Sequence, residues 1–333
     1  MKVIHVVPKK TIGGVEVAAC SLADSPPENF DVKVKFVSEG DNSLLNPFLH
    51  LKTILYLWGE NPDVVVSSLW WTSFSTIPYR IIKKHKLILF LHSQKRAHLV
   101  DFFFTFLQGK FADCFFADSE ATIKGNSRLI NKKRVEKISF LTRRFFVNNP
   151  RVASGDHPVF VYWGRLSKIK KIDTAIDLFS VILSRFKNSK FYIYGPDFGE
   201  KNRLLNIVGR RGMAGNVFFY DAVDHEYISE VAHQADFYLQ LSEHEGMAMS
   251  VIEAMQLGLV PVVTPVGEIP EYCQHLKNSI IYRSHHQAVA DICNVWNDAI
   301  KFAEVSDNAT KEWLGAPLYR ESFVDAVKSC VMR

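Results

Sequence analysis

The feature that most constrains this 333-residue chain is a twelve-fold alternation of short apolar runs with longer amphipathic stretches. In the first half the runs fall at 2–7, 32–38, 63–68, 86–92, 114–119 and 136–141. In the second half they fall at 159–166, 190–195, 217–221, 237–242, 260–265 and 279–283. Most are apolar at consecutive positions, the pattern of strands covered on both faces within a parallel sheet. Helical periodicity between them is clearest at 173–187, where Ile176, Phe179, Ile182, Leu183 and Phe186 share one face and Asp173 or Thr174 supplies the cap. Two successive sets of six strand-plus-helix units predict two doubly wound α/β domains, with an eight-fold barrel as the competing architecture. The polar segment 147–157 reads as the linker. The expected domains are therefore 1–150 and 151–316, with 317–333 a helix crossing back to the first.

Composition removes several classes of function. Apolar residues make up 47% and charged residues 23%, too apolar for a disordered chain. No apolar run approaches the roughly 18 residues that span a bilayer, and the opening MKVIHVVP is too short for a signal-peptide core. Cys20, Cys114, Cys273, Cys293 and Cys330 are odd in number and never spaced as CxxC. That spacing predicts neither a disulfide framework nor structural zinc, and so a reducing cytoplasm. Charge is unevenly spread: 1–150 holds 21 Lys and Arg against 13 Asp and Glu, and 151–333 holds 19 against 22. No acid occurs between Asp63 and Asp101, a gap that contains Arg80, Lys83, Lys84, Lys86, Lys95 and Arg96. A second cluster runs from Lys124 through Arg128, Lys132, Lys133, Arg134 and Lys137 to Arg143 and Arg144. Such a face attracts polyanions or anionic lipid. Without aromatic residues interleaved along one strand, it is not expected to bind nucleic acid.

In open α/β sheets ligands bind beyond the carboxyl ends of strands, where helix starts offer free N–H groups. No GxGxxG, GxxxxGK[ST] or HExxH occurs. The turn after the first strand, Lys9 to Glu16, carries Gly13 and Gly14, which let backbone approach a ligand or simply turn tightly. The turn Gly164 to Lys171 places Arg165 at a strand end and Lys170 before a helix, where both can converge on a diphosphate. The segment Ser242 to Met255 places Glu245 in a loop and Glu253 in a helix ended by Gly258. Two carboxylates accept paired hydrogen bonds from vicinal hydroxyls, and the N–H groups of Met247 to Ser250 between them face an anion. One loop thus meets the needs of a sugar diphosphate. The turn Thr264 to Tyr272 reads as support for the wall beside it.

These residues resemble the GT-B retaining glycosyltransferases of the large family GT4, most strongly over 159–283. The likeness rests on GRLxxxK, YGPDFGE, the two glutamates with seven residues between them and EAMxxGxxPVVxxxGxIPE. In the first half, Gly13-Gly14-Val15-Glu16, His92 after a strand, and Ala112-Asp113 with Ala117-Asp118-Ser119-Glu120 fit more thinly. The resemblance implies two Rossmann-like domains facing across a cleft. It implies that Glu253 binds ribose hydroxyls, that Glu245 contacts the transferred sugar, and that Arg165 and Lys170 hold the diphosphate. Backbone N–H groups of Gly246, Met247, Ala248 and Met249, followed by Ser250, would complete the donor site. Gly13 and Gly14 would reach the diphosphate from the first domain, and His92 would lie beside the donor sugar. Lys171 stands where the family usually has glycine, Met247-Ala248-Met249 replaces Phe-Gly-Leu, and ISFLTRRFFVNN replaces the usual PNG-type turn.

The expected activity is transfer of a hexose-type residue from a UDP or GDP sugar, without metal or other cofactor, to a carbohydrate or lipid-linked glycan in capsule, lipopolysaccharide or exopolysaccharide synthesis. A 2-epimerase, a phosphorylase, or a non-catalytic donor-binding subunit of the same fold are the alternatives. Phe102, Phe103, Phe104 and Phe106 beside Lys95, Arg96 and Lys110 read either as core or as an anchor on the inner face of an anionic membrane.

Overall fold

The structure, a computed structural model, describes residues 1–10, 14–24, 26–40, 42–93, 98–146, 151–153, 155–224 and 226–331. The chain divides into two compact units, Met1–Arg143 with Pro317–Arg333, and Arg144–Ala316. Each contains one six-stranded parallel sheet.

In the first unit the strands are β1 (Lys2–Lys9), β2 (Asp31–Ser38), β3 (Val64–Ser68), β4 (Lys86–Leu91), β5 (Cys114–Ala117) and β6 (Val135–Lys137), in the order β2-β1-β3-β4-β5-β6. In the second they are β7 (Val159–Trp163), β8 (Lys190–Tyr194), β9 (Val217–Tyr220), β10 (Phe237–Gln240), β11 (Val260–Val263) and β12 (Ile280–Ile281), in the order β12-β11-β10-β7-β8-β9. Eleven of the twelve apolar runs form strands, most of them buried on both faces: Val3 to Val7, Val64 to Val66 and Leu87 to Leu91 lie almost wholly inside the first unit. In both units the order reverses beside the first strand, where an open sheet leaves its crevice.

Several local expectations need correction. The run 136–141 leaves the sheet after Lys137, although Ile138, Phe140 and Leu141 are buried. They are apolar because helix Tyr319–Val331 packs there, with the Tyr319 N–H donating to the Leu141 carbonyl at 2.7 Å. The helix expected at 173–187 spans Ile172–Arg185, and Lys171 occupies its cap position without a side-chain hydrogen bond. Asp173 sits inside the first turn, so neither it nor Thr174 is the cap. The division between units falls after Arg143 rather than at 150, because the Phe145 N–H donates to Gln256 and the Arg144 guanidinium to the Ala316 carbonyl. Of the expected linker, 147–150 and Ser154 lie outside the described residues.

The cysteine reading is also corrected. Cys114 on β5 and Cys330 on the terminal helix form a disulfide across 216 residues of sequence. Their spacing gave no sign of it, because the packing of that helix on the first unit brings them together. Cys20, Cys273 and Cys293 are free thiols. Among the described residues, no helix is long and apolar enough to cross a membrane.

Three histidines of the first unit are held neutral. Burial lowers His5 and His92 to about 3 and His85 to about 4. Unfolded, each would bind a proton near pH 6.5, so acid favours the unfolded chain and stability falls as pH drops from about 6.5 towards 3–4. Burial raises Asp236 in the second unit to about 6, which offsets part of this because the folded chain binds that proton first. Thermal denaturation should show a melting temperature that drops by several degrees between about pH 7 and pH 4.5. His85→Gln should fall less than wild type over that range, and equal slopes would remove the histidine explanation.

Candidate functional site

The second unit gathers its site at the carboxyl ends of β7 and β10. Lys170 ends the single helical turn Lys168–Lys170, and its ammonium reaches both oxygens of Glu245, at 2.7 and 3.0 Å. The side chains are 14% and 7% exposed. Ions taken from water at such depth need every lone pair and proton engaged. Glu245 Oε1 also accepts from Gln240 Nε2 at 2.8 Å, while Gln240 Oε1 accepts from the Tyr238 and Ser250 hydroxyls, each at 2.9 Å.

The same network reaches the second glutamate. The Tyr238 hydroxyl also points to the Trp163 carbonyl at 2.9 Å, and the Trp163 indole N–H donates to Glu253 at 2.9 Å. Burial, reinforced by the neighbouring Tyr162 and by both glutamates, holds the Tyr238 phenol protonated, well above its ordinary value. One polar chain thus runs from Lys170 through Glu245, Gln240, Tyr238 and Trp163 to Glu253. Gln240, Tyr238 and Trp163 were not singled out from sequence, whereas Ser250 was. The available signal was a glutamine inside the otherwise apolar strand run FYLQLS.

Backbone geometry fixes this loop. Gly267 has φ +63°, and a Cβ there would strike the carbonyl oxygens of Glu245 and Gly246. The turn after β11 braces the loop further: Thr264 Oγ1 donates to the Ser242 carbonyl at 2.6 Å, and the Glu268 N–H to the Gly246 carbonyl at 3.0 Å. The Tyr272 hydroxyl donates to the Met247 carbonyl at 2.7 Å. Helix Met249–Gln256 then starts from Ala248, which is left-handed at φ +54°. Lys171, at φ +48°, is left-handed too, with its ammonium 3.0 Å from Glu243. Both departures from the family's glycines therefore fall at left-handed positions, which explains why glycine is usual there.

Arg165 and Lys170 are not joined. Arg165 is exposed, with its guanidinium 5.5 Å from the centre of the Phe198 ring. Its loop is tied to the next: the Leu166 N–H donates to the Pro196 carbonyl and the Phe198 N–H to the Leu166 carbonyl. Asp197 Oδ1 accepts from the N–H groups of Gly199, Glu200 and Lys201, which holds that carboxyl below its ordinary value. Among the described residues, no group of three His, Cys, Asp or Glu gathers around a metal position.

In the first unit, Gly13, Lys95 and Arg96 lie outside the described residues. Gly14 opens helix Gly14–Asp24, with nothing within 4 Å of where a Cβ would stand. His92 is half-buried after β4, its ring tilted against that of Phe90 with centroids 4.2 Å apart. Its Nε2 lies 2.8 Å from Ser68 Oγ, which also lies 2.7 Å from Nε2 of His5. A hydroxyl has one proton and two lone pairs, so at most one imidazole accepts from Ser68. At least one of the two imidazoles therefore donates to Ser68, and both are held neutral by burial.

The sequence model of the group 1 glycosyl transferases matches residues 146–312. The chain belongs to that family. The GDP-mannose:cellobiosyl-diphosphopolyprenol alpha-mannosyltransferase of Xanthomonas campestris is 27% identical over 136 residues, 39% of this chain and 35% of that protein. The O-antigen biosynthesis glycosyltransferase WclY of Escherichia coli is 32% identical over 99 residues, 30% of this chain and 26% of that protein. The matched segments span between about a quarter and about a third of the length of these curated relatives. Among solved structures, Anabaena HepE in complex with UDP and glucose superposes with a TM-score of 0.79 at 18% identity, covering 99% of this chain and 100% of that one. The lipopolysaccharide outer core galactosyltransferase WaaB gives 0.72 at 16% identity, with 99% of each chain covered. These group 1 transferase likenesses establish the GT-B fold, two six-stranded parallel sheets with flanking helices.

Two substitutions test the loop geometry. Gly267→Ala should cost about 2–4 kcal/mol by denaturant melting, because the Cβ displaces the loop bearing Glu245. Ala248→Gly should leave stability equal or raise it by up to about 1 kcal/mol, by relieving the left-handed strain. A neutral Gly267→Ala would show that the loop is not held by that contact.

Proposed function

We propose that this chain transfers a hexose-type sugar from a nucleoside diphosphate sugar to a hydroxyl of a carbohydrate or lipid-linked glycan, with retention at the anomeric carbon. The observation that carries this reading is the buried Lys170–Glu245 pair, linked to Glu253 and lying beside the start of helix Met249–Gln256. Two of the ammonium's three N–H donors lie on Glu245, and the third is available to a phosphate oxygen. The first N–H groups of the helix, which have no intrahelical acceptor, face the same negative charge. Exposed Arg165 adds a mobile cation. Glu245 keeps Oε2 lone pairs for sugar hydroxyls, and Glu253 offers its carboxylate to the ribose.

In the reaction, the bond from C1 to the phosphate oxygen breaks and its electron pair stays with the diphosphate. The acceptor oxygen bonds C1 from the same face, and its proton passes to the departing phosphate. Lys170, Arg165 and the helix N–H groups stabilise the charge that develops on that diphosphate. The diphosphopolyprenol acceptor in the Xanthomonas relative's name and the O-antigen role of the E. coli relative support a lipid-linked or polysaccharide acceptor. Those names and the UDP bound to HepE support a GDP or UDP donor.

A thermal-shift screen with UDP, GDP, ADP and their sugars should raise the melting temperature by several degrees for one nucleotide series, by mass action. Arg165→Ala, which alters an exposed side chain, should leave the unliganded melting temperature unchanged and weaken that donor about 10- to 100-fold. Anomeric NMR of the product should show retention. Stabilisation by no nucleotide, or donor turnover as fast without acceptor as with it, would overturn the proposal.

A further inference from the structure

Helix Pro47–Glu60 of the first unit turns His50, Thr53 and Leu57 inward. Its opposite side is apolar as well. Phe48, Leu51, Leu55 and Trp58 follow at helical spacing and are 69%, 50%, 62% and 49% exposed. A helix apolar on both faces has a second partner besides its own sheet. At its N-terminal end lies an open cavity of about 400 Å³, walled by Leu44, Pro47, Leu51, Ile54 and Phe74. The polar residue there, His50, has both ring nitrogens engaged, by Ser75 Oγ at 2.9 Å and the Leu44 carbonyl at 2.8 Å. The cavity therefore offers a ligand hydrocarbon contact and little else.

The rim selects among partners. Glu60 is the helix's sole acid, and its carboxylate is held by Lys33 at 2.8 Å and Lys2 at 3.2 Å. Lys52 projects from the exposed side, and Ile81 and Ile82, 67% and 58% exposed, lead directly into Lys83 and Lys84. Lys83 lies over the Trp58 ring at 4.9 Å, so both segments share one face. A second copy docking by this face would set these lysines against their own counterparts. An anionic bilayer supplies both the apolar interior and the opposite charge. Tryptophan with flanking lysines suits the boundary between them.

We propose that this face of helix Pro47–Glu60 docks on an anionic lipid bilayer and that the cavity beside it admits one acyl chain of that bilayer. This deepens the reading of a lipid-linked acceptor and rests on it only for its purpose; the docking is tested without any sugar. The triple phenylalanine contributes in part: Phe102 and Phe103 are exposed, whereas Phe104 turns in against Phe74 at 4.6 Å.

The full chain should float with vesicles of phosphatidylcholine and phosphatidylglycerol, and at least tenfold less with phosphatidylcholine alone. Leu51→Asp with Leu55→Asp should abolish flotation while the melting temperature and the shift given by nucleotide stay at wild-type values. Lys52→Glu with Lys84→Glu should remove the preference for phosphatidylglycerol. Brominated acyl chains should quench wild-type fluorescence, and Trp58→Phe should lose most of that quenching. Ile54→Trp, which fills the cavity, should weaken flotation with an unchanged melting temperature. Flotation of the double aspartate variant like wild type would overturn the proposal, as would a dimer in sedimentation that Leu55→Asp breaks. Vesicle binding without any nucleotide response would instead sink the donor reading and leave this one standing.

Discussion

Everything in the second unit's site depends on one ion pair kept almost out of water. Lys170 and Glu245 come from different strand-to-helix turns, and neither could be buried without the other. The pair engages Gln240 at the end of β10, and through Tyr238 and Trp163 ties the position of Glu253 to that of Lys170. The backbone conforms to it: Gly267 has no side chain because the Glu245 loop lies against it, and Ala248 accepts a left-handed conformation to start the helix there. A pair of this kind adds little net stability. Its value lies in holding charge and hydrogen-bonding capacity ready before a ligand arrives, so that little reorganisation is needed when it binds.

The first unit solves the opposite problem. Several of its buried polar side chains pair with one another. Gln108 Nε2 donates to Thr76 Oγ1 at 2.8 Å, and Ser68 joins two histidines that burial keeps uncharged. Cationic side chains stay outside, on an acid-poor surface that runs beside exposed aromatic and aliphatic residues. The terminal helix closes this unit, with Phe323 against His5 and Phe116 and with Cys330 bonded to Cys114.

Much of this was legible in the residues, for identifiable reasons. Parallel strands buried on both faces announce themselves as unbroken apolar runs, so eleven of the twelve were visible. The same signal misled at Ile138 to Leu141, because a run that packs against a helix is as apolar as one that pairs in a sheet. The carboxylates at 245 and 253 stood out through their spacing around a glycine and a helix start. Their connection did not, because Trp163, Tyr238 and Gln240 lie in strands whose aromatic residues read as core. Nor could sequence show that Lys170 spends its charge on Glu245 while Arg165 stays free, since both look alike in a basic turn. The Cys114–Cys330 bond is a product of long-range packing, and no local spacing reports it.

The account's central claim is that Lys170 and Glu245 act on the donor as one unit. The most direct measurement is a double-mutant cycle by calorimetry, titrating the stabilising nucleotide sugar into wild type, Lys170→Met, Glu245→Gln and the double variant. If they act together, the losses will be strongly non-additive, with a coupling of at least about 1 kcal/mol. Additive losses, or donor affinity unchanged in either single variant that melts like wild type, would contradict it.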